Sequence, residues 1–389
     1  MTGDRAPYVT SRLQGLGTTI FAEMSALAVR TGALNLGQGF PDTDGPAEVA
    51  EAAVAALRGG HNQYPPGPGV PILRQAIADH QRRFWDLDYD PDGEVLVTAG
   101  ATEAITAALI GLCEVGDEVI AFEPCYDVYP AAAAMAGASL RVVTMHPPDY
   151  HFDPDDLDRA VTPRTRLVLL NSPHNPTGKV FSPAELAAIA RVCFEHDLLA
   201  VTDEVYEHIV FDGDHVPLAT LPGMRDRTVT ISSGGKTFSF TGWKVGWACG
   251  AAPLVDAVQT VKQFLTYVNA APLQPAIAVG LGLGDDYFRA LRADLAAKRD
   301  MLCAGLEGAG LTVYRPAGTY FVTADIRPLG TDDGPEFCRT LPERCGVVAI
   351  PNSVFYQDPR GGRPLVRFTF CKRTEVLEEA VTRLEALRQ

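Results

Sequence analysis

Apolar residues along the chain fall into two rhythms. Between about residues 94 and 233, short aliphatic and β-branched runs alternate with stretches of helical spacing. Runs at 94–98, 119–122, 167–170, 198–202 and 229–231 read as strands, each nearly all apolar. Gly100-Ala101-Thr102 opens a helix over 103–113. Ser182 and Glu185 form a capping box around Pro183, starting a helix that runs to about His196. Continuous apolar strands alternating with helices predict an α/β fold: a mostly parallel sheet covered on both faces. After about residue 284 the rhythm changes. A long helix over 285–307 is followed by short strands at 311–314, 320–326, 347–350 and 365–370, with helices over 335–344 and 375–387. This reads as a smaller α+β unit.

The first part of the chain is an arm. Phe21, Met24, Leu27 and Ala28 give 21–33 a helical pattern, which Asn35-Leu36-Gly37-Gln38-Gly39-Phe40-Pro41 breaks. A helix over 46–57 ends at Gly59-Gly60. Residues 61–69, rich in proline and glycine, are neither helix nor central strand. Within them Tyr64, held extended before Pro65, is presented to a partner surface. The expected division is a large domain over 46–284, with 1–45 and 285–389 forming the arm and the small domain.

Composition narrows the functional classes. The chain has 389 residues, 47% hydrophobic and 21% charged, as expected of a soluble globular protein. Its 33 basic and 48 acidic side chains leave a formal charge of −15, which argues against a nucleic-acid or anionic-membrane partner. Eight cysteines show no CxxC pair and no metal-ligand spacing, so free thiols in a reducing, cytoplasmic compartment and no metal site are expected. Met1-Thr2-Gly3-Asp4-Arg5 leads into no apolar signal core, and no apolar run is long enough to span a membrane.

Polar or aromatic residues stand at or just beyond several strand ends: Gly100, Tyr126, Asn171, Asp203 and Ser233. In open α/β sheets ligands bind outside those ends. Beyond 229–231, Gly234-Gly235 place Lys236 on a tight, exposed turn among Phe238, Phe240, Trp243 and Trp247. A desolvated lysine has a lowered pKa, and its free amine can form an imine. Ser233 and Lys244 flank it with a hydroxyl and a cation, which suits a phosphorylated aldehyde. On the residues alone, Lys236 also reads as a solvated loop lysine, Asp203 as a cap, Tyr126 as a core aromatic, and Gly37 and Gly39 as a plain turn.

Ser233-Gly234-Gly235-Lys236-Thr237-Phe238-Ser239 with Thr241-Gly242-Trp243-Lys244-Val245-Gly246-Trp247 resembles the cofactor-lysine motif of class I/II, fold-type-I pyridoxal-phosphate aminotransferases. The resemblance covers nearly the whole chain. Asn35 to Asp42, Asn62-Gln63-Tyr64 and Ser172 to Gly178 are similar to the kynurenine/glutamine aminotransferase group. Asn62 to Gly69 and Val366 to Arg373 are closer to actinobacterial proteins described as N-succinyldiaminopimelate aminotransferases. It implies a large domain with a mostly parallel, seven-stranded-type sheet, amino-acid and 2-oxo-acid substrates, and a homodimer. Lys236 would hold the cofactor aldehyde and move the proton. Asp203 would pair with the ring nitrogen, while Asn175 and Tyr206 would bond the phenolic oxygen. Tyr126 would stack on the ring, with Asn171 in support. Gly100, Ala101, Thr102, Ser233 and Lys244 would hold the phosphate, joined by Tyr64 of the neighbouring subunit. Lys244 stands where many relatives carry arginine, which keeps the charge and loses bidentate binding. Arg367 and Gly39 would take the substrate carboxylate, with Phe21 closing the pocket.

The implied reaction is transamination between N-succinyl-L,L-diaminopimelate and 2-oxoglutarate, with glutamate as the other amino acid of the exchange. The alternative is a kynurenine, methionine or glutamine aminotransferase with cysteine-conjugate β-lyase side activity, which shares every residue above. In this reading Asn269 and Ala270, standing where bulkier residues line the pocket of kynurenine-type relatives, leave a longer and more polar cavity. A third reading, a regulator built on the same domain, needs a DNA-binding module that the acidic charge and the short arm do not suggest.

Overall fold

The structure, a computed structural model, describes residues 8–14, 16 and 19–388; Met1 to Arg5 lie outside them. Strands β1 (Leu34–Asn35), β2 (Val95–Thr98), β3 (Glu118–Glu123), β4 (Ser139–Thr144), β5 (Thr165–Asn171), β6 (Leu199–Asp203), β7 (Thr228–Ser233) and β8 (Gly246–Cys249) come first in the chain. Seven of them form one sheet in the order β2-β8-β7-β6-β5-β3-β4. Only β8 runs against its neighbours, pairing antiparallel with β2 and β7. The apolar runs of β2, β3 and β7 are buried along their whole length, as a sheet covered on both faces requires. One face packs on helices Gly100–Leu112, Val128–Ala136 and Ala252–Leu265, the other on Pro154–Ala160 and Pro183–Glu195. Both bonds of the Ser182–Glu185 capping box are present at the start of Pro183–Glu195.

Strands β9 (Thr312–Tyr314), β10 (Phe321–Asp325), β11 (Val347–Val348), β12 (Ile350–Pro351) and β13 (Leu365–Thr369) follow the long helix Asp285–Gly308. Four of them make an antiparallel sheet, β12-β13-β10-β9. β1 pairs parallel with β11, so the arm helix Ile20–Thr31 buries Met24 and Ala28 in the same core as Leu302, Phe368 and Leu377. No described helix is long and apolar enough to cross a membrane.

Several elements carry no clear signal in the sequence pattern. Helix Pro71–Trp85 buries Arg74, His80 and Gln81 beside Leu73 and Ile77, so its inner face is not apolar. His80 and His208 meet through their Nε2 atoms at 2.7 Å, and Trp85 Nε1 donates to Glu207 at 2.6 Å. These buried polar groups hide the 3.6-residue period. β4 is an edge strand with half-exposed Leu140 and Arg141, and Val128–Ala136 is too uniformly small and apolar to show a face.

Candidate active site

The carboxyl ends of β5, β6 and β7 lie side by side, as the register shows, with Asn171 level with Asp203 and Asp203 with Ile231; that of β2 lies beyond the antiparallel β8. Above them is a cavity of about 300 Å³. It is lined by Lys236, Asp203, Tyr206, Asn175, Asn171, Tyr126, Ser233, Lys244, Gly100, Ala101, Thr102, Gly39, Phe21 and Arg367. Of the residues singled out from sequence, Asn269 and Ala270 do not line it, and Tyr64 stays outside: it is 82% exposed, with its ring edge-on to Tyr267 at 5.7 Å.

Lys236 corrects one expectation. It sits in the four-residue helix Gly234–Thr237 and is half-buried, not on an exposed turn. Phe238, Phe240, Trp243 and Trp247 pack into a different apolar cluster, against Leu73, Ile77 and Phe288. The rings around the lysine come from far along the chain: its Nζ lies 5.9 Å from the Tyr206 ring and 5.8 Å from the Tyr320 ring. Burial is the largest cause lowering the Lys236 pKa, and Cys371 and Asp203 oppose it. The desolvation expected from sequence is present, supplied by tertiary neighbours.

Asp203 is buried at the end of β6. Tyr129 donates to its Oδ2 at 2.8 Å, and burial pushes its pKa up to about 6 against that bond. Asn171 Nδ2 donates to the Asp203 carbonyl at 2.8 Å, and Asn171 Oδ1 accepts from the Asn175 amide at 2.7 Å. A chain of hydrogen bonds thus fixes the acid and Asn175 together.

At another wall the helix Gly100–Leu112 begins without a side-chain cap. Its first-turn N–H groups and the helix dipole favour an anion there. Gly100 has φ +77, and a Cβ on it would meet Lys244 Nζ at 3.2 Å. A Cβ on Gly246 would meet Gly100 C at 2.7 Å and Ala101 N at 2.8 Å. The two glycines let β8 and the helix start close in around a cradle edged by Ser233 and the Lys244 ammonium. Asn269 Nδ2 donates to the Thr98 and Lys244 carbonyls at 3.1 and 3.0 Å. Its amide is therefore engaged in tying this cradle together within the same chain.

Arg367, on β13, is 1% exposed. Its Nη1 donates to Asn175 Oδ1 at 2.8 Å and its Nη2 to the Gly37 carbonyl at 3.0 Å, while its Nε has no partner. The guanidinium lies over Phe321 at 4.0 Å, Phe355 at 5.0 Å and Phe21 at 5.3 Å, and burial lowers its pKa to about 10. At the same end of the cavity the Gly39 N–H donates to no protein acceptor among the described residues. The buried guanidinium and this free N–H together suit a carboxylate.

The sequence reading missed Tyr129, Tyr320, Phe321, Gln38 and Thr241. Tyr129 follows Tyr126 at helical spacing, and Gln38 and Thr241 lie inside the motifs quoted above, usable signals; Tyr320 and Phe321 carry no local mark. Pyridoxal phosphate fits the residues present. The uncapped helix start with its glycine cradle matches the phosphate, Lys236 has the lowered pKa that a free amine needs, and Asp203 is a buried acid that can face a ring nitrogen.

Comparison with known proteins agrees. The family model "Aminotransferase class I and II" matches residues 31–384. The probable N-succinyldiaminopimelate aminotransferase DapC of Mycobacterium tuberculosis is 55% identical, over 97% of this chain and 98% of that protein. The methionine aminotransferase of Escherichia coli is 41% identical, over 97% and 98%. Among solved structures, the M. tuberculosis N-succinyldiaminopimelate aminotransferase superposes with a TM-score of 0.96, covering 97% of this chain and 100% of that one at 55% identity. The Thermus thermophilus aspartate aminotransferase does so at 0.90, covering 98% and 100% at 31% identity. The chain belongs to the class I and II aminotransferases, pyridoxal-phosphate enzymes that exchange an amino group between an amino acid and a 2-oxo acid.

Proposed function

We propose that this aminotransferase exchanges an amino group between N-succinyl-L,L-diaminopimelate and 2-oxoglutarate, with glutamate as the other amino acid of the pair, in lysine biosynthesis. The observation that carries the reading is 55% identity over 97% of the chain to the probable M. tuberculosis DapC. Bound, pyridoxal phosphate supplies an aldehyde that condenses with amines and a ring that takes up electrons when the substrate Cα loses its proton. Lys236 is the amine that holds the aldehyde. Its free amine would be the base that takes and returns the substrate Cα proton. Asp203, oriented by Tyr129, holds the ring nitrogen protonated. Tyr206, Asn175 and Tyr126 would hold the ring, and Asn171 supports Asn175. Gly100, Ala101, Thr102, Ser233 and Lys244 take the phosphate. The Arg367 guanidinium and the Gly39 N–H take the substrate carboxylate, with Phe21 over them.

Tyr64 completes the phosphate site of a second subunit in this reading, so the working unit is a homodimer. Its support is an exposed apolar face: Leu57, Tyr64, Ile72, Phe264, Tyr267 and Val279 are each at least 41% exposed. The division at about residue 284 into a large and a small domain, and a cytoplasmic location suited to eight free thiols, belong to the same proposal.

One observation favours the alternative, a methionine or kynurenine aminotransferase with β-lyase side activity. Among the described residues lining the cavity the cations are Lys236, Lys244 and Arg367, and no fourth is present for a distal succinyl carboxylate. Measuring kcat/KM for N-succinyl-L,L-diaminopimelate, kynurenine, methionine and glutamine with 2-oxoglutarate decides between them. The proposal expects the succinyl substrate to lead by about tenfold or more, the scale of one or two pocket contacts. A lead for kynurenine or methionine overturns it and leaves the family assignment intact. Release of pyruvate and ammonia from a cysteine conjugate, without an acceptor, identifies the lyase.

A further inference from the structure

Tyr320 is the point where three parts of the site meet. Its hydroxyl donates to the Gly39 carbonyl at 2.7 Å. Its ring stands edge-on to Tyr206 at 5.2 Å and walls the Lys236 amine. Its carbonyl accepts from the Phe370 amide at 2.9 Å and from Thr369 Oγ1 at 3.1 Å, tying it to the strand that bears Arg367. The residue before it, Thr319, is buried at φ +63, a left-handed conformation unusual for a β-branched residue. The Thr319 amide donates to the Ile209 carbonyl at 2.8 Å, and the Ile209 amide to the Tyr206 carbonyl at 2.7 Å. The local backbone is thus bent to aim Tyr320 at Gly39. Gly39 has no slack on that side, since a Cβ there would meet Phe321 Cζ at 2.3 Å and Tyr320 Cε2 at 2.9 Å.

We propose that Tyr320 is a positioning residue for the substrate carboxylate. By holding the Gly39 carbonyl, it keeps the free Gly39 N–H facing the cavity beside Arg367. A carboxylate then meets two donors already in place, and no loop ordering is needed on binding. Gly37, whose carbonyl accepts from Arg367, and Phe40, whose carbonyl accepts from Lys372 Nζ at 2.7 Å, are held on either side of it. Tyr320 fixes the residue between, the one that touches substrate. The inference rests on the reading of Arg367 and Gly39 as the carboxylate site, and the test separates the two.

The test uses the holoenzyme and its Tyr320→Phe variant, which loses one oxygen and keeps the ring. Each is mixed with the preferred amino acid and with the corresponding amine lacking the α-carboxylate, and the cofactor absorbance is followed through a single half-reaction. Losing a neutral hydrogen bond of about 1 kcal/mol should raise KM for the amino acid roughly fivefold to tenfold. We expect kcat to change less than twofold, with no change toward the amine. Arg367→Lys serves as the control. If it weakens amino-acid binding and Tyr320→Phe does not, the Tyr320 proposal fails while the carboxylate site stands. If neither variant discriminates amino acid from amine, the carboxylate site itself is wrong. Equal losses toward both substrates in Tyr320→Phe also overturn the proposal, because they mark a merely structural residue.

Discussion

At the scale of single residues, Asp203 combines burial with function in a way that pH can expose. Its pKa in the fold, about 6, lies above the ordinary 3.8. Below pH 4 the acid is protonated in both folded and unfolded chains. Between about pH 4 and 6 the folded protein holds more protons, so stability falls as pH rises through that window and stays lower above it. The shift corresponds to about 3 kcal/mol at neutral pH, at 1.36 kcal/mol per unit. Cofactor-free Asp203→Asn should therefore melt at or above the wild-type temperature at pH 8, with the gap closing near pH 4. A large loss of stability at pH 8 would show that the carboxylate is structurally required. The same variant, loaded with cofactor, should lose transamination about a hundredfold or more, as when a group facing developing charge is removed. Near-normal turnover would show Asp203 to be structural. Most such residues were legible in the sequence because they stand at strand ends, where burial and polarity conflict. Tyr320 was not, since it looks like any aromatic at the start of a strand and only the tertiary fold brings it to Gly39.

At the scale of elements, the cradle at the start of Gly100–Leu112 depends on two backbones touching. Gly246→Ala places a methyl 2.7–2.8 Å from the backbone of Gly100 and Ala101, which cannot swing away as a side chain can. We expect cofactor affinity to fall by about tenfold or more, the cost of about 1.4 kcal/mol of lost contact, with the secondary structure retained. Equilibrium dialysis against pyridoxal phosphate measures it, and unchanged affinity would remove the cradle from the phosphate site. The elements that make this cradle differ in how plainly they read. The strand–turn–helix from β2 into Gly100–Leu112 shows as an apolar run ending in glycine. β8, which closes the cradle antiparallel, follows a glycine- and aromatic-rich loop and looks like part of it. Pro71–Trp85 is hidden for the opposite reason, because its buried face carries Arg74, His80 and Gln81, and their partners lie far along the chain.

At the scale of the whole molecule, sequence rhythm conveyed the large, mostly parallel sheet and the short strands that follow the long helix, but not the separate two-stranded pairing of β1 with β11. It conveyed less about what surrounds Lys236, because aromatic neighbours in sequence pack away from it while Tyr206 and Tyr320 arrive from elsewhere. The exposed face around Tyr64 predicts a dimer at assay concentration by light scattering, and an active monomer would contradict it. In that dimer Tyr64→Phe should weaken cofactor binding about fivefold, the scale of one hydrogen bond, without dissociating the subunits. Unchanged affinity would mean that Tyr64 serves the interface alone. The central claim, that the cavity at the carboxyl ends of the strands is a pyridoxal-phosphate site served by Lys236, has a direct test. The intact protein, loaded with the cofactor, is reduced with borohydride, digested, and its labelled peptide sequenced. One label per chain, on Lys236, is the expected result; a label on Lys244 or another lysine, or no label at all, would rule the assignment out.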